Sequence, residues 1–135
     1  MGIIIVPVTI ENALDKSKRL TCDALVDTGA SFVVLPSAWK DSLGELELLR
    51  EVEVGVAAQD IVQGSIYGPV RIQISGFKPI VSEVLFLDMT PTNGEYQPLI
   101  GYIALEQSQA AVDMSEHRLT HVKHMYLKRS LLRQD

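Results

Sequence analysis

Apolar positions in this chain recur mostly at the two-residue period of strands, in short runs bounded by turn residues. Residues 3–10 are rich in β-branched side chains and predict a strand. The polar stretch 11–19 predicts a hairpin connection, and residues 20–26 the returning strand. A short apolar strand follows at 32–35. Leu35, Trp39 and Leu43 then fall four apart, the spacing of one helical face, which places Trp39 in the core. Pro36 suits the first turn of that helix and Gly44 the position just past its end. From 46 to 57 the pattern alternates, with Val52, Val54 and Val56 on one face and Glu51 and Glu53 on the other.

Residues 61–74 continue in β-rich sequence, so 52–74 predict a long antiparallel hairpin with its tip near Gln59 and Asp60. A turn at 75–79 leads to a strand at 80–87, and 88–98 carries the Pro, Asn and Gly of a loop. Leu99-Ile100-Gly101 opens a short helix at 102–107, and 110–114 with 118–122 predict two closing strands. No long repeat or low-complexity segment interrupts this order. The expectation is a mostly β domain over 1–122, with two short helices, and a basic tail over 123–135.

One stretch stands out within that frame. Asp27-Thr28-Gly29-Ala30-Ser31 links two buried runs, Ala24-Leu25-Val26 and Phe32-Val33-Val34-Leu35. A turn here needs a residue tolerant of positive φ or close backbone approach, which Gly29 provides, and hydroxyls that lock the turn. The plain reading of Asp27 is a turn residue; its carboxylate is also the best-framed reactive group in the chain.

Composition narrows the rest. At 135 residues, 47% hydrophobic and 21% charged, the chain supports one core and is not of disordered composition. A net charge of −5 argues against nucleic acid as a default partner, although 121–135 alone carries four basic residues against one acid. Cys22 is the sole cysteine, so no intrachain disulfide or cysteine metal cluster can form. Residues 1–7 are apolar without a basic leader, Val6 stands where a myristoylation signal wants Ser or Thr, and no run reaches the ~18 apolar residues of a membrane span. The simplest expectation is a soluble, cytoplasmic protein with no membrane partner.

Other chemistries find little support. His117, His121 and His124 lie four and three apart, but their segment reads as strand and no acid or thiol set completes a metal site, so no metal or cofactor is expected. Ser31 and Ser65 lack a Gly-x-Ser-x-Gly frame, and no glycine-rich phosphate loop is present. Asp27 remains. A single carboxylate is a poor hydrolase, whereas two held ~3 Å apart share one proton and so provide a base and an acid in one pocket. The chain has one such Asp-Thr-Gly.

The frame of two hydrophobic residues, Asp27-Thr28-Gly29-Ala30-Ser31 and a buried strand resembles the active-site loop of retropepsin-like aspartic proteases. The same family carries two hydrophobic residues and a glycine before a short helix, matched here by Leu99-Ile100-Gly101 and 102–107. The resemblance covers about residues 3–122. It implies an all-β, closed-barrel acid-protease fold with a flap hairpin, and an aspartic endopeptidase acting on extended peptide or protein substrate. It also implies a homodimer that pools two Asp27 carboxylates. Asp27 would be catalytic, with Thr28 bonding across the dimer axis and Gly29 meeting substrate through its backbone. Ala30, Leu99, Ile100 and Gly101 would support that loop, while Gln59, Asp60, Ile61 and Tyr67 would belong to the flap. Retroviral members pair an Asp two residues after the first glycine with an Arg after the second; Ser31 and Tyr102 stand there instead. The alternative is the same domain used for dimerisation or peptide binding without turnover.

Overall fold

The computed structural model describes residues 3–55 and 61–123. Among the described residues there are nine strands: β1 (Ile5–Asn12), β2 (Asp15–Val26), β3 (Val33–Pro36), β4 (Glu47–Gly55), β5 (Ile61–Ile74), β6 (Ile80–Leu87), β7 (Leu99–Ile100), β8 (Ala110–Asp113) and β9 (Arg118–His121). Seven form one sheet in the order β1-β2-β7-β3-β6-β5-β4, and β5 also pairs back onto β1 from Val8↔Ile74 to Asn12↔Val70. That last pairing closes the sheet into a ring. β4 stays outside the ring as the partner of the first half of β5.

β5 serves both roles because its ladder breaks midway. Its register with β6 shifts between Tyr67 and Val70, where Gly68-Pro69 interrupts the run. Proline has no N–H to give a ladder, so it stands naturally at such a break. Before it β5 pairs with β4; after it β5 pairs with β1.

The unbroken apolar runs of β3 and of residues 84–87 in β6 have a simple cause: both faces of the chain are covered there. Val33, Leu35, Val84 and Phe86 enter the main core with Val8, Ile10 and Ile72. Val34, Leu85 and Leu87 point the other way and form a second cluster with Ile66. Half-buried Phe32, Val52, Val54 and Leu99 pack on that second cluster, which becomes the floor of the site below.

The polar stretch 11–19 is not mainly a connection. Both strands run through it and only Ala13 and Leu14 make the turn. Its polar residues are used as structure. Glu11 is buried between Arg19 at 3.6 Å and Arg71 at 3.7 Å. Asn12, 3% exposed, donates from Nδ2 to the carbonyls of Leu43 and Glu45 and accepts from the Leu14 N–H. These bonds tie the hairpin to the root of β4.

The helix expected after Leu35 is a 3-10 helix, Ser37–Leu43, ended by Gly44 at φ 67°, where a side chain would be strained. Leu35 and Leu43 are fully buried. Trp39 is only half-buried, packing against the core and edge-on to Tyr96 at 5.9 Å. α1 (Tyr102–Gln107) follows Gly101, burying Ala104 and Leu105. Strands β8 and β9 make a separate hairpin whose turn is held by the Asp113 carboxylate, which accepts from the Ser115 hydroxyl and the N–H groups of Ser115 and Glu116. Those bonds hold the Asp113 carboxyl below its ordinary pKa. Among the described residues no helix is long and apolar enough to cross a membrane.

Candidate active site

The segment after β2 is fixed by backbone bonds before any side chain acts. The Asp27 N–H donates to the Ile100 carbonyl at 2.9 Å, and the Ala30 N–H closes the turn onto the Asp27 carbonyl at 3.1 Å. β7 makes the first bond possible by lying parallel to the end of β2, with Leu25↔Leu99 and Val26↔Ile100 in register. The Gly29 N–H donates to Asp27 Oδ1 at 2.9 Å. A side chain at Gly29 would approach that oxygen to 3.2 Å, so the glycine leaves the carboxylate uncrowded.

From behind, α1 holds the other half of the loop. Tyr102 N–H reaches the Ala30 carbonyl at 2.9 Å and Ile103 N–H the Ser31 carbonyl at 3.2 Å. These are two of the helix's initial amides, which have no partner within the helix. Gly101 permits the approach. A methyl built there would lie 2.5 Å from the Phe32 carbonyl oxygen and 2.6 Å from that of Ala30, both backbone atoms. Leu99-Ile100-Gly101 is thus packed directly against the Asp27 loop. The Ser31 and Tyr102 side chains are exposed, and the loop-to-helix link runs through their backbones.

Asp27 borders a cleft of about 640 Å³. Gly29, Ala30 and Ser31 form its rim, Phe32, Val34, Leu85, Leu87 and Leu99 its floor, and Val52–Gly55 of β4 its opposite wall. The cleft therefore joins one half-buried carboxylate to a largely apolar trough beneath a hairpin strand. Of the residues expected at the flap, Ile61 stands exposed at the start of β5. Tyr67 turns away from the cleft: its ring meets Phe86 edge-on at 5.7 Å and lies 4.7 Å beneath the Lys40 ammonium, against the main core. Gln59 and Asp60 lie outside the described residues. Thr28 is exposed beside Asp27 and borders not the cleft but a smaller slot with Ile3, Leu25 and Val112.

Apart from Leu99, sequence reasoning did not single out the floor residues. The parity of β6 carries the signal, because alternate residues of a strand line one face. Once Val84 and Phe86 are assigned to the core, Leu85 and Leu87 must face elsewhere. Of the histidines, His117 and His121 stand at opposite ends of the β8–β9 hairpin. His117 sits in the β8–β9 turn at φ 50°, His121 stacks on Phe77, and His124 lies outside the described residues. Among the described residues no group of three or more His, Cys, Asp or Glu side chains is placed to hold a metal. Cys22 is a half-buried thiol whose pKa is pushed up to about 11, chiefly by burial and then by the Asp23 charge.

A family model described as aspartyl protease matches residues 6–103. No curated protein matches the chain. Among solved structures the chain is similar to EIAV protease complexed with the inhibitor HBY-793, with 22% identity and a TM-score of 0.55. The match covers 78% of this chain and 86% of that one, and shows the same all-β, retropepsin-like acid-protease fold. The matched span of the family model includes the Asp27 loop, all of β4 to β7 and Gly101.

Proposed function

Because this chain belongs to the aspartyl protease family, we propose that it is an aspartic endopeptidase whose site is built from two copies, each contributing Asp27. The observation that carries this reading is the Asp27 carboxylate, held by backbone bonds at the edge of an apolar cleft walled by β4. One carboxylate cannot be ionised and protonated at the same moment, as a base and an acid acting together on one peptide bond require. Two in one pocket share a proton, so one activates water for attack on the peptide carbonyl while the other protonates or stabilises the developing oxyanion.

Residues 1–122 form the protease domain in this reading, and 123–135 a basic tail. Thr28, exposed beside Asp27, bonds across the two-fold axis, and the Gly29 backbone meets substrate. Ala30, Leu99, Ile100 and Gly101 hold the loop against displacement. The β4–β5 hairpin, including Gln59, Asp60 and Ile61, closes over an extended peptide, whose apolar side chain next to the scissile bond fills the trough over Val34, Leu85 and Leu87. Tyr67 fixes the root of that hairpin through Phe86 and does not touch substrate. The chemistry calls for no cofactor or metal.

The test is peptide-library digestion from pH 4 to 8 with wild type and Asp27→Asn. Asp27→Asn keeps the shape and removes the shared proton, so cleavage should vanish while fold and association persist. Asp113→Asn, which keeps the acceptor that holds its turn, should cleave as wild type does. A variant Asp27→Asn with near-wild-type turnover would end the protease reading. A verified wild-type dimer with no cleavage at any pH would favour a peptide-binding or dimerisation domain.

A further inference from the structure

A second depression of about 640 Å³ is bounded by β1, β2, the 3-10 helix and the loop before β7. None of the residues lining it borders the Asp27 cleft. Its walls combine two kinds of group. Trp39 and Tyr96 are half-buried rings set edge to face, with centroids 5.9 Å apart and planes 82° apart. Asp23 of β2 and Glu95 of the loop bring exposed carboxylates, and Ile5 and Pro98 add apolar surface.

The loop side of this pocket is held at two points. Thr92 and Glu95 exchange both backbone N–H to carbonyl bonds, at 2.8 and 3.0 Å, around Asn93 and Gly94 at φ 54° and 79°. Asn-Gly is the pair that takes such a two-residue turn most readily, because both positions need positive φ. Further on, the Pro98 carbonyl accepts from the Leu25 N–H at 2.9 Å. Glu95 and Tyr96 are thus carried between two anchors and line the pocket with Cys22 and Asp23.

The pocket has negative charge and no resident cation. Among the described residues Glu11, Glu83 and Asp113 have arginine partners, whereas Asp23 and Glu95 have none. Lys40, next in the chain to Trp39, is taken up 4.7 Å over the Tyr67 ring. The Asp23 charge is felt at the pocket wall, where it adds to burial in pushing the Cys22 thiol up to about 11. A bare metal ion would want more oxygen ligands than two carboxylates, and no metal-holding group of three acids, thiols or imidazoles exists among the described residues. An organic ammonium fits both kinds of wall. Carboxylates attract its charge, aromatic rings attract it through their quadrupole, and its carbon atoms can lie on Ile5 and Pro98.

We propose that this pocket binds an organic ammonium group, of a free amine or at the end of a lysine side chain, between the Asp23 and Glu95 carboxylates and the Trp39 and Tyr96 rings. The site stands apart from the protease reading, since pocket and cleft share no residue.

Trp39 is the only tryptophan in the chain, so its fluorescence reports the pocket. The full chain is titrated at constant ionic strength with choline, with Nα-acetyl-lysine methylamide, and with the neutral alcohol in which a tert-butyl group replaces the trimethylammonium of choline. Saturation-transfer NMR on the ligand protons reads the same binding without relying on Trp39. A cation should bind saturably with a dissociation constant of about 1 mM, and the neutral alcohol about tenfold more weakly. The double variant Asp23→Asn with Glu95→Gln changes two exposed side chains to isosteres, so it should fold normally and weaken the cation about tenfold. Tyr96→Leu should weaken it about threefold. Glu106→Gln, an exposed acid on α1 outside the pocket, should leave it unchanged. Tighter binding of choline supports the site as one for a free amine, and tighter binding of the lysine derivative supports it as one for a lysine side chain. No saturable binding of either cation by either readout would overturn the proposal. So would equal binding of choline and the neutral alcohol, or an unchanged affinity in the double variant.

Discussion

Gly101→Ala probes the joint between α1 and the Asp27 loop. The added methyl would sit 2.5 Å from the Phe32 carbonyl oxygen and 2.6 Å from both the Ala30 carbonyl oxygen and the Ser31 carbonyl carbon. Ordinary contacts of this kind begin near 3.4 Å, so the helix must withdraw by nearly ~1 Å, since backbone cannot rotate away as a side chain can. Withdrawal strains the bonds from Tyr102 and Ile103 to Ala30 and Ser31. Overpacking of this kind costs about 3 kcal/mol. For a chain of this length that lowers the melting temperature by roughly 12 °C. Calorimetry at fixed protein concentration reads it, with Gly55→Ala as the control: nothing lies within 4 Å of a methyl there. That control should melt within about 2 °C of wild type. Hydrolysis by Gly101→Ala should fall further than its unfolded fraction explains, because the displaced loop carries Asp27. A melting temperature within about 2 °C of wild type would refute the packing reason given for this glycine.

Four further outcomes follow from other parts of the molecule. Asn12→Leu strands the carbonyls of Leu43 and Glu45 and should destabilise by about 2–4 kcal/mol, measured by chemical denaturation. The Cys22 thiol, with its pKa raised from 9.0 to about 11, should react with a thiol reagent at pH 8 about 100-fold more slowly than a free cysteine; denaturant should restore the rate. Because the folded state keeps that proton longer, its contribution to stability is intact below pH 9 and is lost as pH rises towards 11, which alkaline denaturation curves of wild type and Cys22→Ala compare. Chelation with EDTA should leave turnover unchanged, whereas loss restored by zinc would implicate the histidines.

What could be read from the sequence was what local chemistry decides. The Asp27 turn, the Gly44 stop and the Gly101 helix start each show in a few neighbouring residues, because a turn or cap is a local event. The strand runs were legible for the same reason. Long-range pairing was not. Residues 11–19 looked like a connection because the partners that make Glu11 and Asn12 good strand residues, Arg71 and the Leu43–Glu45 segment, lie 30 or more positions away. The closure of β5 onto β1, the cleft floor of Val34, Leu85 and Leu87, and the direction of Tyr67 all depend on which face each strand turns to the core. Trp39 shows the limit of periodicity: its stripe is real, but a 3-10 helix at the surface leaves the ring half-buried.

The central claim, that each site needs one Asp27 from each of two chains, is tested most directly by mixing. Wild type and Asp27→Asn are combined in equal amounts, dissociated, allowed to reassociate, and assayed on one peptide substrate. If both carboxylates are required, random pairing leaves about one quarter of dimers active, so activity per wild-type chain falls to about half that of wild type alone. Raising the proportion of Asp27→Asn should lower it further, in step with the wild-type fraction. Activity per wild-type chain that stays constant at every ratio would contradict the claim, because it would mean that one chain completes the site alone.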